Sequence, residues 1–277
     1  MGQLREQEER VGQHYDAISD FETVRLDRHC PVEFEVTARC LRRWVSPGAK
    51  VADVGVGGGR YAELLAGQGC SVHLADVSPK LLDATQERLR RAGLQDRLLG
   101  VSRASATNLG GLPTGEFAAV LLLGPLYHLL KPGERHQAVQ EATRLLKPHG
   151  WLFAAGINRL TYLRDLFRES PLEVVPRRAF HEGYLRDGNL DPGHASPIGY
   201  AHLTTVAGFR ELFVGGFAEV ALLGVEAFTG PWQQTLAGLP PDAAEAWLDL
   251  IERTAATPEG LGMADHFLYV GTKRLAG

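Results

Sequence analysis

Apolar residues along this chain change their spacing repeatedly, and each change marks an element. Polar and charged side chains dominate MGQLREQEERVGQHYD, which predicts a polar helix over residues 1–20. Phe34, Ala38, Leu41 and Val45 then recur at helical spacing behind Pro31, which suits a first helical turn. After the turn Ser46-Pro-Gly48, strand-like and helix-like runs alternate. Strands are predicted at Lys50–Val54, Ser71–Ala75, Leu98–Ser102, Phe117–Leu123 and Trp151–Gly156, with helices at Tyr61–Gln68, after Ser78-Pro79, and at Glu134–Leu146. The run at Phe117–Leu123 is almost wholly apolar, as a strand covered on both faces requires. Such β-α-β order predicts an α/β fold with a mostly parallel sheet between helical layers.

The alternation lapses between residues 158 and 206, a stretch rich in Arg, Pro, Gly and His. It is too long for an ordinary connection and reads as a functional insertion after strand five. A helix near Gly208–Val214 and strands at Phe217–Val225 and His266–Thr272 follow, with a mostly helical segment between those strands. The whole chain, 1–277, reads as one domain, with residues 1–45 as an N-terminal helical lid.

Composition narrows the classes. A formal charge of −4 gives no basic track for nucleic acid. No run reaches the roughly 18 apolar residues of a membrane helix. The polar N-terminus does not read as a signal peptide. Cys30, Cys40 and Cys70 fit neither a zinc pattern nor a disulfide framework and read as reduced thiols, so a cytoplasmic location is expected. No pair of histidines shows metal-binding spacing on a predicted helix, so no metal is expected.

The densest signal is VADVGVGGGR, residues 51–60, with four glycines in five positions after a strand. Glycine tolerates positive φ and lets the backbone approach another group closely. Ligands of open α/β sheets bind beyond the carboxyl ends of the strands, where this loop lies. Gly57-x-Gly59-x-x-Ala62 satisfies a loose dinucleotide fingerprint, a weak match by itself. Asp53, just before the loop, would repel a pyrophosphate and suit a cation. S-adenosylmethionine carries a sulfonium and an ammonium and no phosphate. Asp76, at the tip of strand two, can accept both hydroxyls of its ribose.

Three motifs in order carry a resemblance: D-x-G-x-G-x-G after strand one, LADVSPKLL around Asp76, and VLLLGPLYHLL at strand four. Together they resemble a class I S-adenosylmethionine-dependent methyltransferase of the small-molecule type. HYDAISDFETVRLDRH upstream resembles the N-terminal helix that closes over the cofactor in that family. The resemblance implies a Rossmann-like seven-stranded sheet ending in an antiparallel hairpin. It implies that Gly55, Gly57 and Gly59 let the backbone pass the methionine portion, with Asp53 organising the loop. Asp76 takes the ribose, Val77 packs on the adenine, and Ala104, Ser105 and Ala106 flank it. Many members carry an aspartate at that flank for the adenine amino group. Ser105 departs from that pattern and points to weaker or relocated recognition. Leu123 and Gly124 line the methionine side, and Tyr15 reaches in from the lid.

The expected reaction moves a methyl group to an O, N or S atom of a small molecule and leaves S-adenosylhomocysteine. Alignment supplies much of the rate. A base is needed only where the acceptor must lose a proton, and His128, beyond strand four, is the candidate. Tyr127 is a candidate pocket wall. Arg159, Tyr162, Tyr200 and His202, in the insertion, are candidates for contacting the acceptor. Two alternatives stay open at this point: a nicotinamide-dependent oxidoreductase, and a non-catalytic scaffold that binds S-adenosylmethionine. The oligomeric state is not legible.

Overall fold

The computed structural model describes residues 5–190 and 199–275. Its centre is a sheet of strands β1 (Lys50–Val54), β2 (Ser71–Asp76), β3 (Leu98–Arg103), β4 (Phe117–Leu122) and β5 (Leu146–Asn158). These lie parallel in the order β3-β2-β1-β4-β5. The chain reverses direction across the sheet between β1 and β4, which opens a crevice at their carboxyl ends. Strand β4 shows why the sheet needs cover on both sides. Ala119 and Leu121 pack with the core layer under the N-terminal helices, while Val120 and Leu122 pack into the opposite layer.

The parallel strands are connected by helices α4 (Arg60–Gly67), α5 (Pro79–Arg91) and α6 (Pro132–Leu145). Ser78 caps α5, its hydroxyl accepting from the Leu81 N–H at 3.1 Å, and Pro79 fills the first turn. The expected carboxyl-terminal hairpin is present. Strand β9 (His266–Lys273) runs antiparallel to β5, and β8 (Phe217–Gly224) runs antiparallel to β9.

Two expectations change. The N-terminal segment is not one helix but two, α1 (Glu6–Ala17) and α2 (Ser19–Arg28), broken at Ile18, before α3 (Pro31–Trp44). The break lets α1 and α2 press different faces on the strand ends. The stretch after β5 is also more regular than its composition indicates. It folds α7 (Arg159–Glu169) and α8 (Arg178–Asp187), then adds a short edge of β6 (Asn189–Leu190) and β7 (Ala201–Thr204). Strand β7 pairs parallel with β5 through only Ile157↔Leu203 and Asn158↔Thr204. The expected seven strands are all present, and the insertion's β6 and β7 extend them to a nine-stranded sheet. The insertion has its own small core of Ile157, Tyr184, Leu190, Ala201 and Leu203. After it come α9 (Val206–Glu211), then α10 (Pro241–Ala255) and α11 (Pro258–Met263) between the hairpin strands.

Helix α1 is fastened over the strand ends by several independent contacts. A Cβ on Gly12 would lie 2.9 Å from the Val77 carbonyl oxygen, so only glycine lets the helix approach the tip of β2 this closely. The Ser78 hydroxyl donates to Asp16 at 2.5 Å, and Arg103 pairs with Glu9 at 2.9 Å. No described helix is long and apolar enough to cross a membrane.

Candidate active site

The glycine loop turns out of β1 with Gly55 at φ +80°, Gly57 at +51° and Gly59 at +76°. These are left-handed conformations that other residues adopt only with strain. The loop is crowded from outside as well. A Cβ at Gly55 would lie 2.7 Å from the Pro125 ring, and one at Gly58 would lie 2.7 Å from the Glu22 carbonyl oxygen. Gly59 opens α4 and packs against Thr85 of α5. Its tight approach joins two helices.

Two acids flank the loop, and burial treats them alike. Asp53 is 2 % exposed and its Oδ2 has no hydrogen-bond partner. Loss of hydration pushes its carboxyl up to about 7, with the nearby charge of Asp76 adding to the effect. Asp76 is raised to about 6 by burial, against the opposing pull of backbone N–H groups at Ser78, Val56, Val77 and Gly57. The Ser78 N–H donates to Asp76 Oδ1 at 2.8 Å.

Between these groups and the N-terminal helices lies a cavity. Its floor comprises Gly55, Gly57, Asp76, Val77, Ala104, Ser105, Ala106, Leu123 and Gly124, and Tyr15 faces them from α1. Asp53 and Gly59 support the loop from behind and do not line the cavity.

Sequence reasoning missed much of the roof. Glu8, Val11 and Tyr15 lie at helical spacing on α1, and all three line the cavity. Glu22, Arg25 and Leu26 do the same from α2, and Glu33 joins from α3. The i, i+3, i+7 pattern was a usable signal, hidden because it mixes acids with apolar residues. Glu8 is buried. Its Oε1 accepts from Ser105 Oγ at 2.5 Å and from Thr107 Oγ1 at 2.8 Å. Burial pushes its carboxyl up, but bonds from Arg5, Ser105 and Thr107 outweigh this and hold it below its ordinary range. Ser105 is therefore tied to a carboxylate from another element.

His128 sits at the far end of the cavity, in the turn after β4. Its Nδ1 lies 2.7 Å from the Tyr200 carbonyl oxygen, which can only accept. Nδ1 therefore carries the proton, and Nε2 accepts from Tyr15 Oη at 2.8 Å. Burial lowers the imidazole to about 4, with the Tyr200 carbonyl opposing. The ring is thus neutral at physiological pH, with its basic nitrogen turned to a tyrosine that lines the cavity. Tyr127 lines the same space.

The insertion's candidates are dispersed. Tyr200 reaches the site through its carbonyl, while its hydroxyl accepts from Arg10 at 2.9 Å. Tyr162 packs among Phe180, His181 and Tyr184. Arg159 and His202 line a second cavity, on the other side of the turn that carries Tyr127 and His128. Beside the roof, ligand atoms of Glu33, Glu226 and His266 lie within 4.8 Å of one another. Arg25 donates to Glu33 at 2.7 Å, and His266 Nδ1 lies 2.7 Å from Glu226. Burial would lower His266, but Glu33 and Glu226 raise it to about 9. Arg25 and the His266 imidazolium thus neutralise this acidic group internally.

Comparison with known proteins agrees with this geometry. Residues 52–154 match a family described as a methyltransferase domain. A ubiquinone biosynthesis O-methyltransferase of Thiobacillus denitrificans is 35% identical over 143 residues, which cover 49% of this chain and 59% of that protein. The match thus spans little more than half of that relative. Among solved structures, the [4+2]-cyclase SpnF superposes with a TM-score of 0.60 at 17% identity, covering 97% of each chain. The N-methyltransferase NodS of Bradyrhizobium japonicum, in complex with S-adenosylhomocysteine, gives 0.57 at 14% identity, covering 94% of this chain and 98% of that one. Likeness at that identity establishes the shared fold.

Proposed function

Starting from a chain that carries the class I S-adenosylmethionine-dependent methyltransferase domain, we propose that it transfers a methyl group to a nucleophilic O, N or S atom of a small molecule, a hydroxyl oxygen above all. One observation carries the reading. A single cavity is lined by the glycine loop, by Asp76, and by a tyrosine hydrogen-bonded to a neutral histidine.

The cavity's chemistry fits the cofactor. The positive-φ glycines leave a cradle that side chains would fill. Asp76 supplies a buried acceptor for a diol, and the orphaned Asp53 carboxylate makes the loop region attractive to a cation. Glu8 stands where a donor such as the adenine amino group can be received, in place of the aspartate that Ser105 replaces. When bound, the cofactor supplies a methyl group already activated on a sulfonium.

The chain's own residues then hold and move the acceptor's proton. Tyr15 Oη accepts the proton as the acceptor oxygen gains its methyl group, and passes its own proton to His128 Nε2, which is unprotonated at neutral pH. The Tyr200 carbonyl fixes the imidazole tautomer, and Tyr15 aligns the lone pair. One positive charge leaves the methyl donor and one appears on the imidazole, so charge balances. Tyr127 walls the acceptor, and α1 and α2 exclude water, which strengthens polar contacts inside. Tyr200 ties the insertion to this acceptor end. Tyr162, Arg159 and His202 would act on acceptor choice only through the packing of that insertion.

A screen of small hydroxylated, amine and thiol acceptors with isotopically labelled methyl donor, read by mass spectrometry, tests the proposal. Labelled product from at least one hydroxyl acceptor is expected. Absence of transfer from a protein that demonstrably binds the cofactor would overturn the catalytic reading.

A further inference from the structure

The second cavity differs from the first in its charge. It lies between the turn after β4, the end of β5, β7 and α9. Arg135, Arg159 and His202 line it beside Thr204 and Tyr127, and among the described residues no acidic side chain does. Arg135 is 8% exposed. Its Nη1 donates to the carbonyls of Leu129 at 2.6 Å and Leu130 at 2.9 Å, while Nε and Nη2 have no hydrogen-bond partner among the described residues. Arg159 uses Nε and Nη1 on the carbonyls of Leu203, Leu185 and Arg186, and Nη2 has no partner among the described residues. Among the described residues neither arginine forms an ion pair, although most other arginines of this chain do.

Burying cations without anionic partners is costly, so such pairs persist where something compensates them. Burial lowers the Arg135 guanidinium, and the charge of Arg159 lowers it further, against Glu134. His202 is held down to about 3, first by burial and then by both arginines. The cavity is thus a concave, electropositive space with unused guanidinium donors. Arginine forks match the oxygen spacing of carboxylate and phosphate groups.

We propose that this cavity is a binding site for a small molecule bearing a phosphate or carboxylate group, held by Arg135 and Arg159. It is separate from the cofactor cavity and shares with it only the turn that carries Tyr127. The anion supplies the missing counter-charge, and the unused N–H groups supply its hydrogen bonds.

Inorganic phosphate and malonate are the probes, compared with chloride at equal ionic strength on the full chain. Phenylglyoxal modifies accessible arginines, and peptide mass spectrometry reads the rate at Arg159. Phosphate, malonate or both should slow modification of Arg159 in the wild-type chain, and the better protector identifies the favoured group. Calorimetric titration with that anion should show it bound about tenfold or more weakly by Arg159→Gln, as loss of a charged hydrogen bond implies. S-adenosylhomocysteine affinity, measured in the same samples, should stay within about twofold, because the two cavities are separate. Protection by neither anion beyond chloride overturns the proposal, as does undiminished anion binding in a folded Arg159→Gln variant. Failure of S-adenosylhomocysteine to bind would count against the methyltransferase reading and leave this site's result standing.

Discussion

Tyr15 Oη and His128 Nε2 are 2.8 Å apart, and this bond joins the lid helix to the turn after the fourth strand. It couples closure of the site to the orientation of the buried His128 imidazole, which lines the cavity with the glycine loop. Tyr15→Phe removes the donor and leaves a buried nitrogen unpaired, a loss of about 1–3 kcal/mol. His128→Gln removes the proton acceptor. Turnover of an identified hydroxyl acceptor should fall by about 10²- to 10⁴-fold in His128→Gln. Cofactor affinity should change far less. Steady-state kinetics beside calorimetry separate the two effects, and unchanged turnover would exclude His128 from proton transfer.

Glu8 predicts a cofactor contribution from outside the strand motifs. Glu8→Gln keeps the shape and removes the charge that Ser105 and Thr107 bond to. S-adenosylhomocysteine should bind about tenfold more weakly, the scale of one charged hydrogen bond. Inosine-containing analogues, which lack the amino group, should bind wild type and variant with closely similar affinity. A variant that binds both ligands as wild type does would remove Glu8 from adenine recognition.

Acidity in the loop sets a pH dependence. Asp53, at about 7, and Asp76, at about 6, must be ionised to suit a cationic, diol-bearing ligand. Affinity should therefore be full above about pH 7 and weaken as pH falls through 7 and 6, with proton release on binding. Calorimetry in buffers of different ionisation enthalpy reads that release. For the free protein the sign reverses. A carboxyl raised in the folded state contributes stability below its unfolded value, near 4, and loses it as pH rises through 7. Asp53→Asn should accordingly stabilise the free chain at pH 8 by a few kcal/mol at most, and by less at pH 5. Denaturant titrations at the two pH values check the difference.

Gly12 tests the seating of the lid. A valine there would drive its Cβ into the Val77 carbonyl, backbone that cannot yield easily. Gly12→Val should destabilise the chain by about 1–3 kcal/mol and weaken the cofactor together with it. Urea unfolding and a cofactor titration on one preparation measure both.

The parallel core was legible because its strands are short apolar runs bounded by glycine and proline, and Lys50–Val54 matches its predicted limits. Ten of the twelve cofactor candidates line one cavity, since loop glycines and strand-tip acids keep their places whatever surrounds them. The lid was less legible. Ala17-Ile18-Ser19 carries neither Gly nor Pro, so its break is set by packing on the strand ends and not by local preference. The insertion misled through composition. Its strands β6 and β7 have two and four residues, too few for a period to register. Its Arg159 starts α7 directly at the end of β5 and its His202 lies on β7, and both face a different cavity.

Calorimetric titration of the chain with S-adenosylhomocysteine, in wild type and Asp76→Ala, tests the central assignment most directly. The wild type should bind one-to-one. Affinity in the variant should be about tenfold to a hundredfold weaker, the scale of about 1.5–3 kcal/mol for hydrogen bonds to a charged group. Equal affinity in the two proteins, or tighter binding of a nicotinamide dinucleotide than of S-adenosylhomocysteine, would contradict the assignment of Asp76 and the cofactor.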